Sequence, residues 1–146
     1  MNASIITIGD ELLIGQVVDT NSSWMGQELN KIGVYVVRKI VVGDVKSDII
    51  DALKEAAGIS DLILITGGLG PTKDDITKHT LCNYFGGKLV FNEEVYEMVE
   101  TYFNRLNRPM LESNRSQAEL PDNCIPIKNY NGTAPGMWFD RNGKVF

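Results

Sequence analysis

The ten residues Thr66-Gly67-Gly68-Leu69-Gly70-Pro71-Thr72-Lys73-Asp74-Asp75 hold the densest chemistry in the chain. Their glycines let the backbone turn tightly and come close to a ligand, and a helix starting beyond them would offer free N–H groups to an anion. The segment lacks the Gly-Lys-Ser/Thr ending of a P-loop and the spacing of the GxGxxG dinucleotide fingerprint. Alone, it reads equally well as a plain turn, with Asp74 and Asp75 as first-turn acids favoured by the helix dipole. Other acids shift that balance. Gly9-Asp10-Glu11 follows one strand-like run and Gly43-Asp44 follows a second. In an open parallel sheet the ends of successive strands share one edge, where ligands bind. Asp10, Glu11, Asp44, Asp74 and Asp75 would then gather beside an anion cradle. Like charges so close are costly unless a cation bridges them or they share protons. Oxygen donors suit Mg²⁺ or Mn²⁺ better than zinc. A hard cation held against phosphate oxygens is what phosphoryl or pyrophosphate chemistry needs.

The elements that must position these residues are legible in outline. Ala3 to Ile8 is short, apolar and β-branched, and predicts a buried strand. Thr20 and Asn21 are expected to cap a helix carrying Trp24, Met25, Leu29 and Ile32, stopped by Gly33. Val34 to Val42 predicts a second strand. Ser47 is expected to cap a helix with Ile49, Ile50, Leu53, Ala56 and Ala57, closed by Gly58. Leu62 to Ile65 reads as a strand covered on both faces, and the glycine turn after it leads into a helix over 75–85. Three strand–helix units in succession imply an α/β fold, a three-layer, doubly wound, mainly parallel sheet. Asn92 caps a helix with Val95, Met98, Val99, Tyr102, Phe103 and Leu106 on one face, a core stripe. Beyond Asn107 the chain turns to short antiparallel β structure, with strands at Cys124–Lys128 and Met137–Phe139 and a hairpin turn at Asp140–Gly143. It stops inside an element, so residues 1–146 are read as one domain from a longer chain.

Composition narrows the chemistry further. The 146 residues hold 19 acids and 14 bases, a net charge of −5, with no Lys/Arg run, which argues against nucleic acid and membrane surfaces as partners. The single histidine, His79, excludes His-rich metal clusters and reads as a solvated residue on the helix face of Asp75. Cys82 and Cys124 form neither a zinc knuckle nor a disulfide framework and read as small apolar residues. With no basic n-region and no long apolar run, the expected compartment is the cytoplasm. Several polar residues are further candidates for gripping a sugar or phosphate: the run Asp19-Thr20-Asn21, which could reach the same edge, Asn114, Arg115 and Gln117 in a polar loop, and Gly132 with Thr133 in a second glycine-rich turn. Capping, surface solvation and hairpin geometry explain these equally well.

Taken in order, Gly9-Asp10-Glu11-Leu12-Leu13, Asp19-Thr20-Asn21, Thr66 through Asp75 with Thr77, Asn114 with Gln117-Ala118, and Gly132-Thr133-Ala134-Pro135-Gly136 form a pattern. It closely resembles the N-terminal domain of the CinA (competence/damage-inducible protein A) family. That domain shares the molybdopterin-binding fold of MoaB and MogA. Leu69 stands where the molybdopterin enzymes have threonine, a form associated with CinA-type sequences. The resemblance implies metal-dependent hydrolysis of ADP-ribose to AMP and ribose 5-phosphate. Under that reading Asp44, Asp74 and Asp75 are the catalytic acids, and Asp10, Glu11, Asp44 and Asp75 hold a divalent cation (Mg²⁺, Mn²⁺ or Co²⁺, with K⁺ as a further candidate). Gly67, Gly68, Gly70 and Thr72 would cradle phosphate. The partner is a small nucleotide substrate, and relatives of the fold associate as homo-oligomers. A domain that binds a pterin or nucleotide without turning it over, or transfers an adenylyl group to it, is the alternative.

Overall fold

The computed structural model describes residues 1–70 and 76–146, so Thr72, Asp74 and Asp75 lie outside the described residues. Strand β1 (Asn2–Ile8) is buried along its whole length after Asn2. Such a run belongs at the centre of a parallel sheet. It pairs in parallel with β2 (Tyr35–Val42) on one side and β3 (Leu62–Thr66) on the other. Two short strands complete the sheet: β9 (Lys144–Val145) lies parallel to β3, and β8 (Asp140–Arg141) lies antiparallel to β9. The order is β2-β1-β3-β9-β8. Asn142 and Gly143, both at positive φ, make the tight turn expected at the end of the chain.

Helices cover both faces. Helix α2 (Thr20–Lys31) sets Leu29, with Met25 alongside, against Ala3 and Ile5 of β1. Residues of a strand alternate between faces, so Ser4, Ile6 and Ile8 look the other way. Helix α3 (Lys46–Ile59) packs on β1 and buries Ile49, Ala52, Leu53 and Ala56, a spacing that draws one stripe along a helix. Just past its end, Ser60 Oγ meets Ser4 Oγ at 2.6 Å, which satisfies two buried hydroxyls. The expected three-layer, mainly parallel α/β arrangement is therefore present.

Local details differ from the sequence reading. Asp19, not Thr20 or Asn21, caps α2 by accepting from Ser22 N at 2.9 Å. Trp24 and Ile32 are exposed, because the core face of α2 is narrow. Ser47 donates to Asp48 rather than capping α3, and α3 runs on through Gly58 to Ile59. In β3 only Ile63 is fully buried, so that strand is half covered. A one-turn helix, α1 (Asp10–Leu13), follows β1 directly.

Backbone contacts divide the chain into two compact units, Met1–Gly68 with Asp140–Phe146, and Leu69–Phe139. The second holds α4 (Thr77–Phe85), β4 (Leu89–Phe91), α5 (Glu93–Arg105) and α6 (Glu112–Arg115). A 3₁₀ turn (Ser116–Ala118), β5 (Glu119–Pro121), β6 (Ile125–Ile127) and β7 (Gly136–Trp138) follow. Strands β4 and β5 pair antiparallel, as do β6 and β7. As the stripe on α5 predicts, Val95 and Val99 are buried, here with Ala118 and Leu120. Asn92 caps α5 through Val95 N at 3.0 Å, and Gly86 at φ 74° ends α4.

Candidate functional site

Parallel pairing puts Ile8 beside Val42 and Thr7 beside Thr66, so β1, β2 and β3 end on one edge of the sheet. Gly9 N donates to Val42 O at 3.0 Å and ties the first two ends together. The acids that follow these strands meet there. Asp10 N donates to Asp44 Oδ2 at 3.2 Å, and Asp44 N donates to Asp10 Oδ1 at 3.1 Å. This reciprocal link needs Gly43, since a Cβ at that position would overlap Asp10 Oδ1. Each carboxylate engages one oxygen in the link, and the other can face a ligand. Glu11 follows on α1 and lines the adjoining cleft. Among the described residues no group of three or more His, Cys, Asp or Glu could hold a metal ion. Asp10 and Asp44 offer hard oxygen donors but do not close a coordination shell by themselves.

The first two glycines of the turn after β3 have different roles. Gly67 lies at φ 106°, and a Cβ there would overlap the carbonyl oxygen of Ile8. Its lack of a side chain is therefore demanded by close approach to β1, independently of any anion. Gly68 lies at φ 60°, a left-handed conformation that favours glycine. Gly70 is described, but Thr72, Asp74 and Asp75 are not, so the anion cradle expected across 66–75 lies partly outside the described residues.

A cleft of about 130 Å³ opens at the same edge, floored by Thr7, Ile8, Thr66 and Gly67 and walled by Glu11, Leu12 and residues 17–21. Asn21, a sequence candidate, lines it. Its best-anchored polar group is one that the sequence reading left as a possible cap, Asp19. Thr7 Oγ1 donates to Asp19 Oδ2 at 3.0 Å, while Ser22 N takes Oδ1. Burial works against ionisation of Asp19. The bonds from Ser22 and Thr7, with Lys39 nearby, outweigh it and hold the carboxyl below its ordinary value. The signal for Asp19 was Thr7 itself, a polar residue late in an apolar strand that needs a partner once buried.

The remaining candidates, Asn114, Gln117, Gly132 and Thr133, belong to the second unit. The polar stretch read as a loop is α6 and the 3₁₀ turn, and Gln117 is only 3% exposed, which rules out surface solvation. Asn114 Oδ1 accepts from Leu111 N at 3.0 Å and so closes the first turn of α6. Thr77 Oγ1 and Gln117 Oε1 are buried without a hydrogen-bond partner among the described residues. The Gly132–Thr133 turn is held by Asn129, whose Nδ2 donates to Ala134 O at 2.9 Å and whose Oδ1 accepts from Asn131 N at 3.0 Å. His79 is exposed on α4. Burial pushes the Cys124 thiol up to about 11 and also raises that of Cys82, as expected of inert apolar cysteines. A groove the sequence did not suggest runs between α5 and residues 128–130, lined by Glu94, Met98, Tyr102, Arg105 and Lys128 among others. No helix among the described residues is long and apolar enough to cross a membrane.

Comparison with known proteins agrees with this architecture. Residues 4–146 match the family described as "Probable molybdopterin binding domain". A CinA-like protein of Cytophaga hutchinsonii is 51% identical over 144 residues, covering 99% of this chain and 34% of the relative. The crystal structure of CinA from Thermoplasma acidophilum, a protein titled as of unknown function, superposes with a TM-score of 0.86 at 36% identity, covering 99% of this chain and 84% of that one. MoaB of Thermus thermophilus, titled a molybdopterin biosynthesis enzyme, shares the fold at a TM-score of 0.63 and 20% identity, over 99% of this chain and 77% of its own. The family match and the fold define a domain of the molybdopterin-binding type. Within that class, the chain belongs to the CinA-like family. It spans about a third of the length of the curated relatives it matches.

Proposed function

We propose that this domain is a metal-dependent hydrolase of a nucleotide-sugar pyrophosphate, with ADP-ribose as the first substrate to test. The observation that carries the reading is the reciprocal Asp10–Asp44 link at the strand ends, on the edge where the glycine turn after β3 begins. In this reading Asp10, Glu11, Asp44 and Asp75 would hold a divalent cation, with K⁺ as a further candidate. When bound, that cation neutralises charge on the phosphate oxygens. The amides of Gly67, Gly68 and Gly70 and the side chain of Thr72 orient the pyrophosphate. Asp74 or Asp75 positions the attacking water and takes its proton. The water oxygen bonds to one phosphorus, the bridging P–O bond breaks, and the departing phosphate takes up a proton. The products are AMP and ribose 5-phosphate.

The test is product analysis with ADP-ribose and Mg²⁺, Mn²⁺ or Co²⁺, on the wild type, Asp44→Asn and Asp75→Asn. Metal-dependent AMP release, reduced at least a hundredfold in both variants, is expected. Equal rates in all three proteins would overturn the residue assignment, and absence of AMP with every metal would overturn the hydrolase reading. The family match, to a probable molybdopterin binding domain, is equally compatible with a second reading, a domain that binds without turnover. Micromolar binding of a pterin, with no AMP release from ADP-ribose over hours, would select it.

A further inference from the structure

The cleft beside Asp19 has two kinds of wall. Leu12, Val17 and Val18 give it apolar side chains, while Glu11, Asp19 and Asn21 bring polar groups to it. Its lining, drawn from the described residues, includes two carboxylates and no Lys, Arg or His. A phosphate placed there would face two carboxylates, and Lys39, whose charge acts on Asp19, does not line the cleft, so the described lining suits neutral hydroxyls better than a phosphate. The volume of about 130 Å³ is well below that of a pocket for a whole nucleotide. It is of the order of a single five-membered sugar ring.

Asp19 is built as a rigid acceptor. Its two oxygens are each fixed by one internal donor, from Ser22 N at 2.9 Å and Thr7 Oγ1 at 3.0 Å. Both donor residues are buried. A carboxylate oxygen accepts two hydrogen bonds, which leaves one on each oxygen for a ligand. A vicinal diol supplies two such donors on one edge and a hydrocarbon face on the other, matching a lining that holds both an acid and apolar side chains. An acid near a strand end takes ribose hydroxyls by the same logic in dinucleotide-binding sheets.

We propose that this cleft is a ribose subsite, in which the Asp19 carboxylate accepts the vicinal hydroxyls of a ribose whose C–H face lies against Val17 and Val18. The inference rests on the nucleotide-sugar reading above and assigns one sugar of that substrate to a place in the fold. It also separates tasks along the sheet edge: sugar at the end of β1, phosphate at the turn after β3.

ADP-ribose has two riboses, and the chemistry is common to both, so the experiment is arranged to tell them apart. Calorimetry compares AMP with 2′-deoxy-AMP, and ribose 5-phosphate with 2-deoxyribose 5-phosphate, on the wild type, Asp19→Asn and Asp19→Ser. Asparagine and serine both keep a capping oxygen for α2 without the carboxylate, and circular dichroism checks that each variant is folded. In one pair the ribo ligand is expected to bind at least tenfold tighter than its deoxy counterpart. Both variants lose that preference, while affinity for the deoxy ligand changes less than threefold. Preference in the first pair assigns the adenosine ribose; preference in the second assigns the terminal one. Equal affinities within both pairs would overturn the proposal. So would failure of all four ligands to bind at millimolar concentration, or a preference that survives in both variants. AMP release from ADP-ribose is scored separately. A preference without turnover therefore sinks only the hydrolase reading, and turnover without a preference sinks only the subsite.

Discussion

The sheet-edge cleft in the first unit and the groove along α5 in the second differ in a way that volume hides. The groove is the larger, at about 240 Å³ against about 130 Å³. Its charged side chains stand largely in water, and Lys128 and Glu94 approach only to 3.7 Å, with side chains 53% and 79% exposed. Such a pair contributes little. In the cleft, Asp19 is locked by a buried threonine and a helix N–H, and next to it Asp10 and Asp44 are locked by each other's backbone. Fixed dipoles, set before a ligand arrives, are what binding and catalysis exploit. The smaller cavity is therefore the one with a prepared chemistry.

The sharpest way to break this comparison is at Gly67. Gly67→Ala forces a methyl into the Ile8 carbonyl at an unfavourable φ, and is expected to lose about 3 kcal/mol or more. Gly143→Ala, at φ 74° with open space around it, should lose about 1 kcal/mol. Urea unfolding of both variants measures the difference, and equal losses would mean that the two backbones do not pack as described. The two cores give a comparison of similar size. Leu53→Ala, fully buried in the first unit, is expected to lose about 2–5 kcal/mol. Val99→Ala, buried in the second, removes fewer carbon atoms and should lose about 2 kcal/mol. Thermal unfolding checks the order.

Asp19→Ala removes the cap of α2 and should lose about 1–2 kcal/mol near neutral pH. The sign of its pH dependence follows from the lowered value. The contribution is complete above the ordinary value of 3.8 and fades as pH falls through the still lower folded value. The gap between wild type and variant in urea midpoint should therefore shrink between about pH 5 and about pH 2. A constant gap would show that Asp19 is not held as a carboxylate by Thr7 and Ser22. The smallest effect belongs to the groove, where Lys128→Ala should change stability by less than about 0.5 kcal/mol. A larger loss would mean that this region is more tightly organised than its exposure implies.

Much of the scaffold was legible from residue order. The run Ser-Ile-Ile-Thr-Ile marked β1, the stripe on α5 marked a core face, and Asn142-Gly143 marked the last turn. These are local patterns, with periods that a single segment displays. Errors fell where a choice depends on neighbours. Asp19 rather than Thr20 caps α2 because Thr7 of another element holds its carboxylate in place. Gln117 read as a loop residue because its burial comes from packing in the second unit, which no window around it contains. Strands β4 and β5 were missed because each spans three residues and is defined by its partner 28 or more positions away.

Residue order alone determined that acids follow the first two strands and that a glycine turn follows the third. Parallel pairing then requires these ends to share an edge, so the meeting of Asp10 and Asp44 follows from residue order and pairing. Tertiary structure decided how the acids meet. It alone shows that Gly43 makes room for Asp10, that Gly67 is bare because Ile8 is there, and that Asp19 is fixed from two sides. Spacing along a chain sets which groups can reach one edge; only packing sets which of their oxygens remain for a ligand.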